Sequence, residues 1–293
     1  MPVSCVTKQV NMLHQKRMRD SQKVLIPLSI VMIFSGIMAF TGAPSSIWGP
    51  NSPIFTTTRH HSTGEHILSW RIKTAPLWVY QGLHALPALI WCLLMPLQHV
   101  DRFRRHWPAF HRNNGYIVLC GFLVLSITGY WMLNKKVAHT HDDIWHIHNF
   151  SGLIPLGWPT FELTLLALEP LYIYTLLRTV QTARARNFNT HGTWAVLHTM
   201  VAYTIAVERV SLLISYVLGL ALNFFPKKEV YNFFRLEDTL DAKATAEMDL
   251  LALMNLVAFA LVVCWGIQEW RKTGSSVKTT EFSPALKDRA KQS

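Results

Sequence analysis

Long apolar stretches separated by short polar connections dominate the hydrophobic pattern of this chain. Six of these stretches approach or exceed the length of about 20 helical residues that crosses the hydrocarbon core of a bilayer. They are residues 24–43, 77–98, 114–133, 150–177, 191–224 and 248–268. Because a helix satisfies its own backbone hydrogen bonds in lipid, the pattern predicts an all-α fold, a polytopic transmembrane helical bundle of about six spans.

Polar segments at both ends set the predicted domain organisation. Residues 1–23 are basic and are interpreted as a cytosolic tail, and residues 24–272 form the six-helix transmembrane domain. Residues 273–293 are polar and are predicted to be a disordered cytosolic tail. A cleaved signal peptide is the alternative for residues 24–43, but the long charged lead favours an uncleaved anchor.

The charge distribution supports this topology and limits the class of partner. Eighteen of the 28 lysines and arginines lie on the side predicted to be inside, and nine lie on the other side. The positive-inside rule therefore places both termini in the cytosol of an integral, multi-pass membrane protein, without indicating the organelle. No basic and aromatic surface module is visible, so the expected partners are the lipid bilayer and a hydrophobic small molecule, with no nucleic acid.

The stretch His191–Arg209, with the sequence HGTWAVLHTMVAYTIAVER, carries the most unusual polar residues. On a helix with 3.6 residues per turn, His191, His198 and Arg209 share one stripe. Glu208 and Arg209 interrupt an otherwise apolar segment. Each costs about 2.5–3.5 kcal/mol to insert into lipid, so such residues face the bundle interior and usually mark a function.

Depth estimates bring further polar residues toward the same level of the membrane. At about 1.5 Å per residue, Glu208 lies about 15 Å, and Glu169 about 12 Å, from the inner boundary. His84 and Glu162 lie at about 21 Å and 22 Å. We therefore predict one buried catalytic group of five residues: Glu208, Arg209, Glu162, His84 and Glu169.

This group also has purely structural explanations. Glu208 and Arg209 can form an ion pair that only fixes helix packing. Glu162 and Glu169 can hydrogen-bond backbone groups that the prolines of their helix leave free.

A second group of polar residues, His111, His191 and His198, gathers at the inner boundary and is the candidate cofactor-binding set. Capping or interfacial positions are the alternative for His111 and His191. The segment HTHDDIWHIH is histidine-rich, but its spacing matches no closed zinc pattern, which favours a solvated loop over a metal site. No metal is therefore predicted.

The middle of the chain, roughly residues 77–215, resembles a widespread family of small integral membrane proteins known as a domain of unknown function in bacteria and fungi. His84 in GLHALPAL, His111-Arg112 with Gly115 in HRNNGY, and His191…Trp194…Arg209 carry the resemblance. It implies a membrane bundle and no particular reaction. The size and number of spans also give a weaker analogy to membrane-bound terpene cyclases of fungi.

Three functions remain open from the sequence. The favoured hypothesis is an integral membrane enzyme acting on a hydrophobic small molecule by intramembrane acid/base chemistry, for example isoprenoid or meroterpenoid cyclisation, with no cofactor required. The first alternative is a haem- or quinone-binding redox protein, with haem b held by His111 and either His191 or His198. The second alternative is a proton-coupled transporter that uses the same buried ionisable residues.

Overall fold

The computed structural model describes residues 23–37, 75–76, 78–137 and 143–281 of the 293-residue chain. Most of the predicted N-terminal tail, the end of the first predicted span (38–43) and residues 282–293 lie outside the described residues. The same holds for His139 and His141 of the histidine-rich segment.

The described chain is almost entirely helical, as predicted, with one two-stranded hairpin. In chain order the elements are α1 (Lys23–Ile37), α2 (Trp78–Gln98), α3 (Asp101–His106), α4 (Pro108–Asn134), β1 (Trp145–His148), β2 (Leu156–Pro159), α5 (Phe161–Arg184), α6 (Phe188–Ala202), α7 (Thr204–Ala221), α8 (Lys227–Phe234) and α9 (Leu240–Glu281). The first eight residues of α2, Trp78–Ala85, are π-helical.

Five helical stretches are long and apolar enough to cross a membrane. They are Trp78–Gln98, Pro108–Asn134, Phe161–Arg184, Thr190–Phe224 and Thr245–Glu269. The described part of the first predicted span, Lys23–Ile37, is a shorter apolar helix. The protein is therefore an integral, multi-pass membrane protein, and the all-α bundle predicted from the hydrophobic pattern is confirmed.

The fourth predicted span begins later along the chain than its apolar run suggests. The prediction started it at residue 150, whereas α5 begins at Phe161 and runs on to Arg184. Pro155 and Pro159 lack the backbone N–H that a helix interior needs. The chain before Phe161 forms the antiparallel hairpin instead, with Trp145 opposite Pro159. Only Pro170 remains inside α5, so Glu162 lies in the first turn and not in a proline-opened mid-helix.

The fifth predicted span is divided into α6 and α7 at Tyr203. The Thr204 hydroxyl donates to the carbonyl of Val201 at 2.7 Å, a local bond that competes with the helical ladder and is associated with helix bending. Tyr203 is fully buried there, and its hydroxyl lies 2.6 Å from that of Ser29 on α1. The interruption between α6 and α7 therefore coincides with a contact that attaches α1 to the bundle.

Three helix pairs make the most extensive contacts: α2 with α4, α5 with α6, and α7 with α9. The largest buried cluster joins the first two pairs, with Trp91, Phe122, Tyr172 and Tyr203 at its centre. The ends of α2 and α5 meet the beginnings of α4 and α6 at one end of the bundle. We call this the inner end, because the charge distribution of the sequence predicts that it faces the cytosol.

The topology can be tested by cysteine labelling in a background without native cysteines. We expect an Asn149→Cys variant to react with a membrane-impermeant maleimide added from outside, because Asn149 lies in the exposed hairpin connection. An Ala185→Cys variant, in the α5–α6 turn, should react only after permeabilisation. Labelling of both variants from the same side would contradict the arrangement.

Candidate functional site

A cavity of about 860 Å³ lies at the inner end of the bundle. Its walls come from the end of α2, the beginning of α4, the end of α5 and the first turns of α6. Because α4 packs mainly on α2, and α6 packs mainly on α5, the cavity separates these two helix pairs. All three histidines predicted at the inner boundary line it: His111, His191 and His198. We call it the inner cavity.

A stripe of threonines on α5 holds the histidines of α6 in place. Thr175, Thr179 and Thr182 follow one another at spacings of four and three, so they share one face of the helix, and all three are buried. Their hydroxyls donate to carbonyls one turn earlier in α5. The stripe thereby offers oxygen acceptors to the two histidines of α6.

The side chain of His191 uses one ring nitrogen for α5 and leaves the other for the cavity. Its Nδ1 lies 3.0 Å from the carbonyl oxygen of Thr179. A carbonyl can only accept, so Nδ1 carries the proton. In the neutral ring Nε2 then holds a lone pair, which is the form that ligates metals or accepts protons.

His198 is oriented in the same way two turns later. Its Nδ1 lies 3.1 Å from the Thr175 hydroxyl oxygen, whose own proton is directed at the Leu171 carbonyl 2.8 Å away. The ring therefore donates from Nδ1. Its Nε2 is buried and has no hydrogen-bond partner among the described residues. The edge-on ring of Phe122, with centroids 5.0 Å apart, fixes the imidazole from the side.

His99, which the sequence reading did not single out, is a fourth histidine of the inner cavity. It follows α2 directly, and its Nε2 lies 2.9 Å from the Thr199 hydroxyl. Burial, together with the neighbouring His111 and Arg104, lowers the pKa of His99 to about 4. His99 is therefore neutral near pH 7 and adds no charge to the cavity.

His111 and His191 approach from opposite walls, on α4 and α6, and lie within electrostatic reach of each other. The Nδ1 of His111 is buried without a hydrogen-bond partner among the described residues. Its backbone carbonyl accepts from Gln98, whose amide lies directly beside Gly115. Among the described residues, no group of three or more His, Cys, Asp or Glu side chains is placed to hold a metal ion.

The charge of the inner cavity comes from arginines. Arg104, Arg112 and Arg184 belong to its lining, and none of its described lining residues is acidic. Arg104 is paired with Asp101 at 2.7 Å. Neither Arg112 nor Arg184 forms an ion pair with a described residue, so both are available to an anion.

The predicted catalytic residues lie outside the lining of this cavity. Glu208, on α7, is 1% exposed and lies 3.2 Å from the guanidinium of Arg209. Glu208 and the half-buried Glu169 are both electrostatic neighbours of the Tyr172 hydroxyl. These residues form a polar centre between α5 and α7, which we call the central group.

The other two predicted catalytic residues occupy different parts of the bundle. The Nδ1 of His84 lies 2.9 Å from the Thr128 hydroxyl, so this histidine faces α4. Glu162 lies in the first turn of α5, at the outer end of the bundle. Neither residue lines the inner cavity.

The hairpin contributes a polar contact that the sequence reading also did not identify. His146 Nδ1 lies 3.2 Å from a carboxylate oxygen of Asp249, and the Trp158 indole donates to the Asp249 carbonyl at 3.1 Å. These contacts attach the hairpin to α9. The only sequence signals for them were the histidine-rich segment and the single acidic residue, Asp249, within the sixth predicted span (248–268).

Comparison of this chain with protein-family models, with curated proteins and with solved structures found no match.

The hydrogen bond between α5 and His198 gives a stability test. We expect Thr175→Val to destabilise the protein by about 1–3 kcal/mol, because the His198 N–H then stays buried without an acceptor. Thr164→Val is the matched control, since the Thr164 hydroxyl donates only within its own helix. Thermal unfolding in detergent measures both variants, and equal melting temperatures would refute this role of Thr175.

Proposed function

We propose that this chain is an integral membrane redox protein that binds haem b in the inner cavity. The observation that carries the proposal is that His111 on α4 and His191 on α6 both line that cavity and interact electrostatically. Two imidazoles presented by different helices on opposite sides of a haem are the arrangement that ligates its iron from both sides. The volume of about 860 Å³ falls within the range of about 300–1,000 Å³ typical of cofactor pockets.

The hydrogen bond of His191 supports this role. Histidines that ligate metals usually donate their other ring N–H to a carbonyl or carboxylate, which fixes the tautomer and the ring orientation. Thr179 supplies such a carbonyl at 3.0 Å. His191 is therefore already in the tautomer whose Nε2 carries the lone pair that would ligate an iron atom.

The walls of the cavity suit a flat cofactor with an apolar body and charged edges. Val118, Leu119 and Val196 supply apolar surface, and Gly192 also lines the cavity. Arg112 and Arg184 line the same cavity and supply cationic partners for the carboxylates of a cofactor. When bound, haem would supply one-electron chemistry, while this chain would ligate it, orient it and exclude water.

The decisive measurement is the absorption spectrum of the purified protein, oxidised and reduced, with haem added if expression leaves it incomplete. We expect a Soret band that shifts on reduction, and its loss in His111→Ala and in His191→Ala. His106→Ala is the matched control, because His106 is exposed on α3 and does not line the cavity. His198→Ala should keep the spectrum. A wild-type protein without a Soret band after haem addition would end the proposal.

An acid/base enzyme is the second candidate, and the buried Glu208 of the central group favours it. Glu208 is almost fully excluded from water and is an electrostatic neighbour of Tyr172, surroundings that suit proton-transfer chemistry on an apolar substrate. The contact with Arg209 has a simpler explanation, an ion pair that holds α7 in register. The catalytic role and the structural role predict different consequences when the charge of Glu208 is removed.

Glu208→Gln separates these roles. For a structural ion pair we expect loss of the protein from the membrane, because leaving Arg209 without its partner costs about 3–5 kcal/mol. For a catalytic acid we expect near-normal abundance together with a changed lipid extract of the expressing cells. Glu162→Gln, at the outer end of α5, is measured in parallel. A normal lipid extract and normal abundance in both variants would contradict the enzyme.

A further inference from the structure

We propose that the inner cavity is open sideways to the inner leaflet and holds an amphiphile by its carboxylates, through Arg112 and Arg184. The inference rests on the proposal that the cavity is a porphyrin site and names the two residues that bind the acidic edge. Carboxylate binding by these arginines does not require iron, so it can be tested separately from haem ligation.

The opening follows from residues that line the cavity and are nevertheless exposed. Ala109, Arg112 and Tyr116 occupy one face of α4 at spacings of three and four, and each of them is exposed. Tyr116, which is 56% exposed, is the third residue of the predicted span 114–133. The mouth therefore lies at the inner boundary of the membrane, where its exposed side meets the lipid.

The opposite side of the mouth is formed by the turn between α5 and α6. Arg184 is exposed at the end of α5, and Phe188, the first residue of α6, is 68% exposed. Both line the cavity. Each side of the mouth therefore carries one arginine close to the boundary and one aromatic ring, a combination suited to a ligand with an apolar body and a charged end.

The charged side chains that line the inner cavity favour an anionic ligand. Arg104 is already neutralised by Asp101, and the described lining contains no acidic side chain. Arg112 and Arg184 make no ion pair with a described residue. A planar guanidinium binds a carboxylate through two parallel N–H bonds, and such bonds gain strength where water is partly excluded.

A small inorganic anion would leave the apolar walls unused, and a neutral lipid would leave the arginines unpaired. An amphiphilic carboxylate uses both features. In this arrangement the acidic edge points to the cytosolic boundary, and the apolar body reaches inward toward Val118 and Val196.

Iron-free protoporphyrin IX and its dimethyl ester are the probes, because they share one apolar body and differ only in the two carboxylates. We expect the purified wild-type protein to bind the diacid about tenfold more tightly than the ester, measured by porphyrin fluorescence in detergent. That ratio corresponds to about 1.4 kcal/mol.

Arg112→Gln and Arg184→Gln should each reduce this preference about threefold or more, and the double variant should abolish it, while ester binding stays unchanged. Arg112→Lys should retain part of it, because the charge remains while the bidentate geometry is lost. Arg102→Gln is the matched control, since Arg102 is exposed on the neighbouring α3 and does not line the cavity. Unchanged melting temperatures exclude misfolding as the cause.

Equal affinity for the two porphyrins in the wild-type protein would overturn the inference, and so would a preference that survives in the double variant or failure of both porphyrins to bind. The outcome is distinct from that of the haem proposal. Carboxylate-selective binding without a ligation spectrum would support the arginine site and contradict the haem proposal. A ligation spectrum with no preference for the diacid would support haem binding and contradict the arginine site.

Discussion

The hydrogen bonds between the threonine stripe of α5 and the histidines of α6 are the interactions on which the site depends. In a medium that offers no water, each ring N–H must find an acceptor inside the protein. Thr175 and the carbonyl of Thr179 accept from His198 and His191. Since the accepting groups are on α5, packing these two helices together also determines which nitrogen of each ring faces the inner cavity.

The same constraint distinguishes the two polar regions of the bundle. In the central group, the carboxylate of Glu208 meets a guanidinium next to it in sequence, so the opposite charges are balanced locally. In the inner cavity, two arginines at the rim have no carboxylate to balance them among the residues that the structure describes. A satisfied pair stabilises packing, whereas an unbalanced set of donors around a space is suited to binding a ligand. This contrast is why the histidines, and not the carboxylates, carry the proposed function.

Attachment at the outer end uses a different set of contacts. The hairpin before α5 replaces a turn of helix that its prolines forbid, and it reaches α9 through His146, Trp158 and Asp249. The aromatic contact at the start of α6 has a comparable role at the inner end, where the guanidinium of Arg178 lies 5.2 Å from the centre of the Trp194 ring. Both ends of α5 are thus held to their neighbours by side chains that combine an apolar surface with a polar group.

The sequence by itself determined the membrane bundle, because about 20 consecutive apolar residues leave few alternatives to a spanning helix. It also brought His111, His191 and His198 to one level, because helical rise converts position into depth. The helical rise per residue does not determine which faces of different helices pack against each other. Only the tertiary structure decided that His84 faces α4, that Glu162 lies at a helix start, and that His99 joins the cavity. Those outcomes depend on helix packing and on a proline-determined boundary, which involve residues far apart in the chain.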